Sequence, residues 1–418
     1  MKKALRRCIF AVSFVTSLSA TASVWEDSET WSPAWEQKYS EWISQSFNED
    51  FFMVGKYQGI PTDCADAVYM SRAIFAYENK LPFVIKDPTG GSAKLTNKMS
   101  RFDSEADEFK RVRKFLLFLA DVASTKSLPN DSYPVSIKRD YVRPGAIWSR
   151  PRITKDNVFR RIFGGTVQED PGHAELVKDV SDTGAVFLIG STVPQAVRKL
   201  ISTSSLVFMP VEQSTGLRAW MAPEQYSLKK EELPGYSLEQ FSMGKPEENF
   251  SSDNVGRNTQ RNITDWTREV QGRLALRSES KEENLNRQAQ NVCNLVNARV
   301  EAVTKGNNYR KKLDGDCMDR DAYDAFSTPS RDKRIKATLS DMVDSGGGFG
   351  FSSAQRAKKL KSYLDKCADI EYAPGKKISL YEYSLKALAN DVSSNPNDSL
   401  EARWGMAEPG SNKCPRYE

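Results

Sequence analysis

Two side chains in this sequence could do chemistry together: Cys64 and His173. His173 is the one histidine in 418 residues, so any mechanism that needs an imidazole must use it. Mechanisms needing two are excluded, zinc sites of the His-Glu-x-x-His kind among them. Cys64 follows Thr62-Asp63, residues suited to capping, and the spacing predicts a helix from Cys64 to about Glu78. Free N–H groups at such a helix start favour a thiolate. His173 follows Asp170-Pro171-Gly172 and opens a predicted strand that runs to Val180. A thiolate beside an imidazolium attacks an acyl carbon, and the imidazolium then protonates the leaving group. That chemistry cleaves or exchanges amides.

Such a pair needs support. If Asp182-Thr183-Gly184 turns a hairpin, His173 faces Gly190, Ser191 and Thr192, and Ser191 is the candidate to orient the imidazole. Tyr57 and Gln58, shortly before Cys64, are candidates for the oxyanion position. Two other motifs carry less. The acidic run Asp314 to Asp321 lacks calcium-loop spacing, and Gly346-Gly347-Gly348-Phe349-Gly350 has no Gly-Lys-Ser/Thr ending. No metal or cofactor is expected.

The elements that must position the pair change character along the chain. Trp31, Trp35, Trp42, Ile43 and Phe47 recur at mainly helical spacing within residues 30–52, and Phe109 to Ala123 is again helical. From about residue 133 short β-rich runs take over: Val142 to Ser149, His173 to Val180, Ala185 to Thr192, Leu206 to Val211 and Leu217 to Met221. Helices followed by an antiparallel sheet indicate an α+β fold. Residues 225–262, with Lys229-Lys230-Glu231-Glu232, read as a solvated linker. Residues 263–418 return to a helical pattern. The expected division is thus a signal over 1–22, an α+β domain over 23–224, a linker over 225–262, and a helical domain over 263–418.

The first 22 residues have the parts of a secretory signal: Lys2, Lys3, Arg6 and Arg7, then an apolar run, then Ala20-Thr21-Ala22. Removing them takes four basic residues from a chain of formal charge +5, which leaves little net attraction for nucleic acid. No later stretch is apolar enough to span a membrane. The expected location is periplasmic or extracellular. Of the six cysteines, Cys8 leaves with the signal and Cys64 stands far from the rest. In an oxidising compartment Cys293, Cys317, Cys367 and Cys414 are disulfide candidates. A turn at Gly306-Asn307-Asn308 would pair Cys293 with Cys317, leaving Cys367 to Cys414. Cys64 then keeps its thiol.

Three motifs occur in the order of a known family. Tyr57-Gln58-Gly59 with Asp63-Cys64-Ala65-Asp66, then Arg143-Pro144-Gly145-Ala146-Ile147-Trp148, then Gly172-His173-Ala174-Glu175 resemble the papain-like NlpC-type cell-wall peptidases and the related CHAP amidases, over about residues 50–222. The resemblance implies a papain-like helix-then-antiparallel-sheet domain with Cys64 as nucleophile, His173 as base, and peptidoglycan as substrate. The expected function is therefore a secreted or periplasmic cysteine hydrolase acting on amide bonds. The alternatives are an inactive envelope protein that binds cell-wall peptide or another envelope protein on the same fold, and a transglutaminase-like acyl transferase or protease.

Overall fold

The computed structural model describes residues 23–417 apart from 92, 152, 155–168, 171, 207, 211–212, 244–254, 348–352 and 411. The expected signal over residues 1–22 lies outside the described residues.

The first helix, α1 (Pro33–Gln45), is capped by Ser32, and α2 spans Cys64–Glu78. The α1 aromatic pattern outlasts its helix: Phe47, Phe51 and Phe52 follow in turns yet pack on the same core. Asp63 starts α2 through a capping box: its Oδ1 accepts from the N–H groups of Ala65 and Asp66, while Asp66 Oδ2 accepts from Asp63 N–H. Every residue from Cys64 to Ala76 is buried, Asp66, Ser71 and Arg72 included, so α2 is a central helix with neighbours on all sides. The hairpin of β1 (Val84–Lys86) and β2 (Lys94–Thr96) leads to α3 (Glu108–Val122) and the short α4 (Leu128–Asp131).

Next come β3 (Ser132–Pro134), β4 (Ile147–Arg150), the small pair β5 (Ile153–Thr154) and β6 (Glu169–Asp170), β7 (His173–Val180), β8 (Val186–Gly190), β9 (Ile201–Thr203) and β10 (Gly216–Trp220). Among the described residues, six of these form one antiparallel sheet in the order β3-β10-β4-β7-β8-β9. The edge strand β9 precedes Leu206, where a strand was expected; Leu206 and Phe208 instead supply buried side chains without extended pairing.

Each sheet face has its own core. On one, α1, α2 and α3 pack against Ile147, Ala174, Leu176 and Ile189. On the other lie Trp148, Val177 and Leu188, with Trp266, Val270 and Leu274 of helix α5 (Val255–Leu274). Trp148 stacks between Phe208 and Trp266, at centroid distances of 4.2 and 5.4 Å. α5 therefore belongs with the sheet, although its sequence was divided between the expected linker and the helical domain.

The expected linker also changes. Its first half, to residue 243, packs on the sheet through Leu233, Gln240 and Met243. Gln240 is fully buried: its carbonyl oxygen accepts from Leu217 N–H (2.9 Å), and its amide donates to the carbonyls of Leu217 and Val135 (2.9 and 3.3 Å). One side chain thus satisfies backbone groups as a neighbouring strand would. The charges of Lys229 to Glu232 are displayed on 3₁₀ turns outside.

Helix α6 (Lys281–Lys312) opens the C-terminal region, followed by α7 (Arg320–Phe326), α8 (Pro329–Gly347), α9 (Ser353–Leu364), the hairpin β11 (Ile370–Ala373) with β12 (Lys376–Ile378), α10 (Leu380–Ala389) and α11 (Leu400–Arg403). The disulfides are Cys293–Cys367 and Cys317–Cys414, with Cα atoms 6.2 and 5.4 Å apart. This corrects the expected pairing. Gly306-Asn307-Asn308 is not a turn, because α6 runs through it, leaving Cys293 mid-helix and Cys317 beyond its end. At 1.5 Å per residue the two are held roughly 30 Å apart. No helix among the described residues is long and apolar enough to cross a membrane.

Candidate functional site

Cys64 is the first residue of α2, where its sequence context predicts it, and among the described residues it is the free cysteine. The surroundings of its sulfur oppose ionisation. The side chain is 4% exposed, and burial together with the Asp63 carboxylate pushes the thiol up to about 12. N–H groups of Ala174 and Ala65 favour the thiolate, and Asp66 opposes it again. The helix-start effect is present but loses to desolvation and two nearby carboxylates. Asp66 is itself pushed up to about 7 by burial and by Asp63, although Gln195 donates to it at 3.0 Å.

A strap of chain closes over this end of α2. Thr62 and Ala196 exchange backbone hydrogen bonds of 3.0 and 3.2 Å, just after the cis Val193-Pro194 bond. Ser191 is 2% exposed; its hydroxyl donates to the Thr62 carbonyl and accepts from the Thr62 hydroxyl, both at 3.1 Å. Those bonds commit Ser191 to the α2 side, so it does not orient His173 as expected.

His173 opens β7 as expected, but its side chain leaves on the other face. Ser149 lies opposite Ala174 and Ile147 opposite Leu176, and this set packs on α2. Arg150 lies opposite His173 and Trp148 opposite Glu175, and Trp148 belongs to the second core. Strand side chains alternate, so a sulfur beside Ala174 meets the backbone of β7 and not the imidazole one residue earlier. The structure does not bring Cys64 and His173 together as a catalytic pair.

The imidazole instead has a carboxylate. His173 Nε2 is 3.0 Å from Glu175 Oε2, and Arg334 of α8 reaches Glu175 Oε1 at 3.5 Å. Burial alone would raise the Glu175 carboxyl, but the charges and hydrogen bonds of Arg334 and His173 outweigh it and hold it at about 2. Gly190 makes room, since a Cβ there would lie 2.9 Å from Glu175 Cγ. The cluster ties the sheet to the helical region, helped by Asn291 of α6, which accepts from Ser204 N–H at 3.1 Å.

The oxyanion candidates lie elsewhere. The Tyr57 hydroxyl donates to Glu78 at 2.9 Å, at the last residue of α2. That places it about 20 Å along the helix from Cys64. Gln58 is exposed, and its carbonyl accepts from Arg113 at 3.2 Å. Proximity in sequence misled here because residues 59–62 carry the chain back along α2 before it starts. Among the described residues no cluster of His, Cys, Asp and Glu could hold a metal ion. Sequence reasoning missed Glu175 and Arg334; the alternation of His173 and Glu175 along one strand was the available signal. No family model, curated protein or solved structure matches this chain.

Proposed function

We propose that this chain is an exported, non-catalytic protein of the cell envelope that binds cell-wall peptide. The observation that carries the reading is the burial of the Cys64 thiol on the sheet face opposite the chain's single imidazole. A buried thiol held near pKa 12 supplies almost no nucleophile at neutral pH, and no imidazole is placed to take its proton. Export is supported by the two disulfides and by the signal-like first 22 residues.

The cysteine-hydrolase reading retains one favourable observation. A thiol on the first turn of a helix, packed on an antiparallel strand that begins with histidine, is the order expected of a papain-like ancestor. The two readings separate in one experiment: purified protein, Cys64→Ala and His173→Ala are each incubated with peptidoglycan sacculi, and both solubilised product and pelleted protein are measured. All three should release no more than buffer does and should pellet with the sacculi. Release by the wild type that Cys64→Ala abolishes would restore the hydrolase, and failure to pellet would remove the binding function.

A further inference from the structure

A cleft of about 230 Å³ lies between residues 192–201 and helices α6, α7 and α8, behind the strap that covers Cys64. Two guanidinium groups line it. Arg198 donates to the Pro194 carbonyl and Arg331 to the Ser327 carbonyl (3.4 Å), while the Nε of each is buried without a partner. The carboxylates nearby are engaged elsewhere: Glu301 with Lys305 (2.6 Å), Asp332 with Arg299 (2.6 Å), and Asp63 with the start of α2. Neither Arg198 nor Arg331 has an ion-pair partner among the described residues. Burial lowers both, and repulsion from Arg198 helps push Arg331 down to about 10. Two half-buried cations face a cleft whose one lining carboxylate, Glu301, acts on both but is bonded to Lys305, an arrangement that a bound anion would stabilise.

The rest of the lining narrows the class. Ile201, Ala298 and Phe326 are apolar, so the ligand needs a carbon body. Glu301 on the same wall disfavours a dianion. We propose that the cleft binds a small monoanionic carboxylate with a compact apolar body, its oxygens between Arg198 and Arg331 and its carbons against Ile201, Ala298 and Phe326. The inference rests on the binding function proposed above and gives that function a site.

Calorimetric titration with N-acetyl-alanyl-alanine, its C-terminal amide, propionate and inorganic phosphate tests the site. The free acid should bind and the amide should bind at least about tenfold more weakly. Arg198→Gln and Arg331→Gln should each weaken the acid by about tenfold. Ala298→Leu, which fills the cleft and keeps every charge, should abolish binding, whereas Lys114→Gln on α3 should change nothing. A dipeptide that outbinds propionate identifies a chain end as the occupant; equal affinities identify a free small acid. The proposal is overturned if neither acid binds, if phosphate binds more tightly than both, or if the three cleft variants titrate like wild type. Sacculus pelleting by a protein that binds neither acid would remove this site and leave the binding function standing.

Discussion

The two faces of the six-stranded sheet hold their polar groups in opposite ways. On the α2 face, Cys64, Asp63 and Asp66 sit at a closed helix start, with an N-cap, a strap and an apolar core around them, and among the described residues no ion pair neutralises the Asp66 carboxyl. On the second face Glu175 is just as deeply buried, yet it lies between His173 and Arg334. Burial alone therefore does not decide a group's protonation. The charges that each face presents do, and the parity of one strand assigns each residue its face.

Breaking the second face should cost most. Glu175→Ala leaves Arg334 beside a buried, empty position, and the expected loss is about 3 kcal/mol. Urea denaturation measures it, and a loss below about 1 kcal/mol would mean that the cluster is solvated like a surface pair.

The two faces should also respond to pH in opposite directions. With Asp66 raised to about 7, the folded chain keeps a proton there that the unfolded chain releases near pH 4, so stability rises as pH falls from about 7 to about 4. Asp131, raised to about 6 by burial, acts in the same direction. Glu175 does the reverse: its contribution is complete above the ordinary glutamate value and is lost as pH falls from about 4.5 toward 2. Urea midpoints from pH 2 to 8 should pass through a maximum. Asp66→Asn should remove most of the neutral-side dependence and leave Asp131's share. Glu175→Gln should flatten the acid side. A wild-type profile that is level between pH 4 and 7 would contradict the Asp66 environment.

The smallest effect belongs to Cys64. Acting as a small buried side chain, it should lose only about 1 kcal/mol on conversion to alanine. Iodoacetamide at pH 8 should label it at least about 100-fold more slowly in the native protein than in urea. Native labelling as fast as in urea would place the sulfur in solvent.

Local signals were enough to define α2 and β7. Asp63 and Asp66 announce the start of the helix through a cap built from four consecutive residues, and β7 begins and ends where its pattern does. Asp319 caps α7 by the same kind of local bond, accepting from Ala322 N–H. Signals of period alone misled where an element continued through a sequence that resembles a break. Gly306-Asn307-Asn308 is helical because α6 is pinned along its length by the core it shares with α8 and by the Arg299–Asp332 pair, and the disulfide pairing follows from that. Residues 225–243 look solvated because their charges are adjacent in sequence, whereas the few side chains that dock them, Gln240 above all, are not.

The amino-acid sequence by itself determined that Cys64 begins a helix, that His173 begins a strand, and that one imidazole is all the chain can offer. These are matters of neighbours within a few residues. Only the tertiary structure decided that sulfur and imidazole go to opposite sides of one sheet, because register and packing assign a strand its faces. The same packing brought Arg198 and Arg331 into one cleft from segments more than a hundred residues apart.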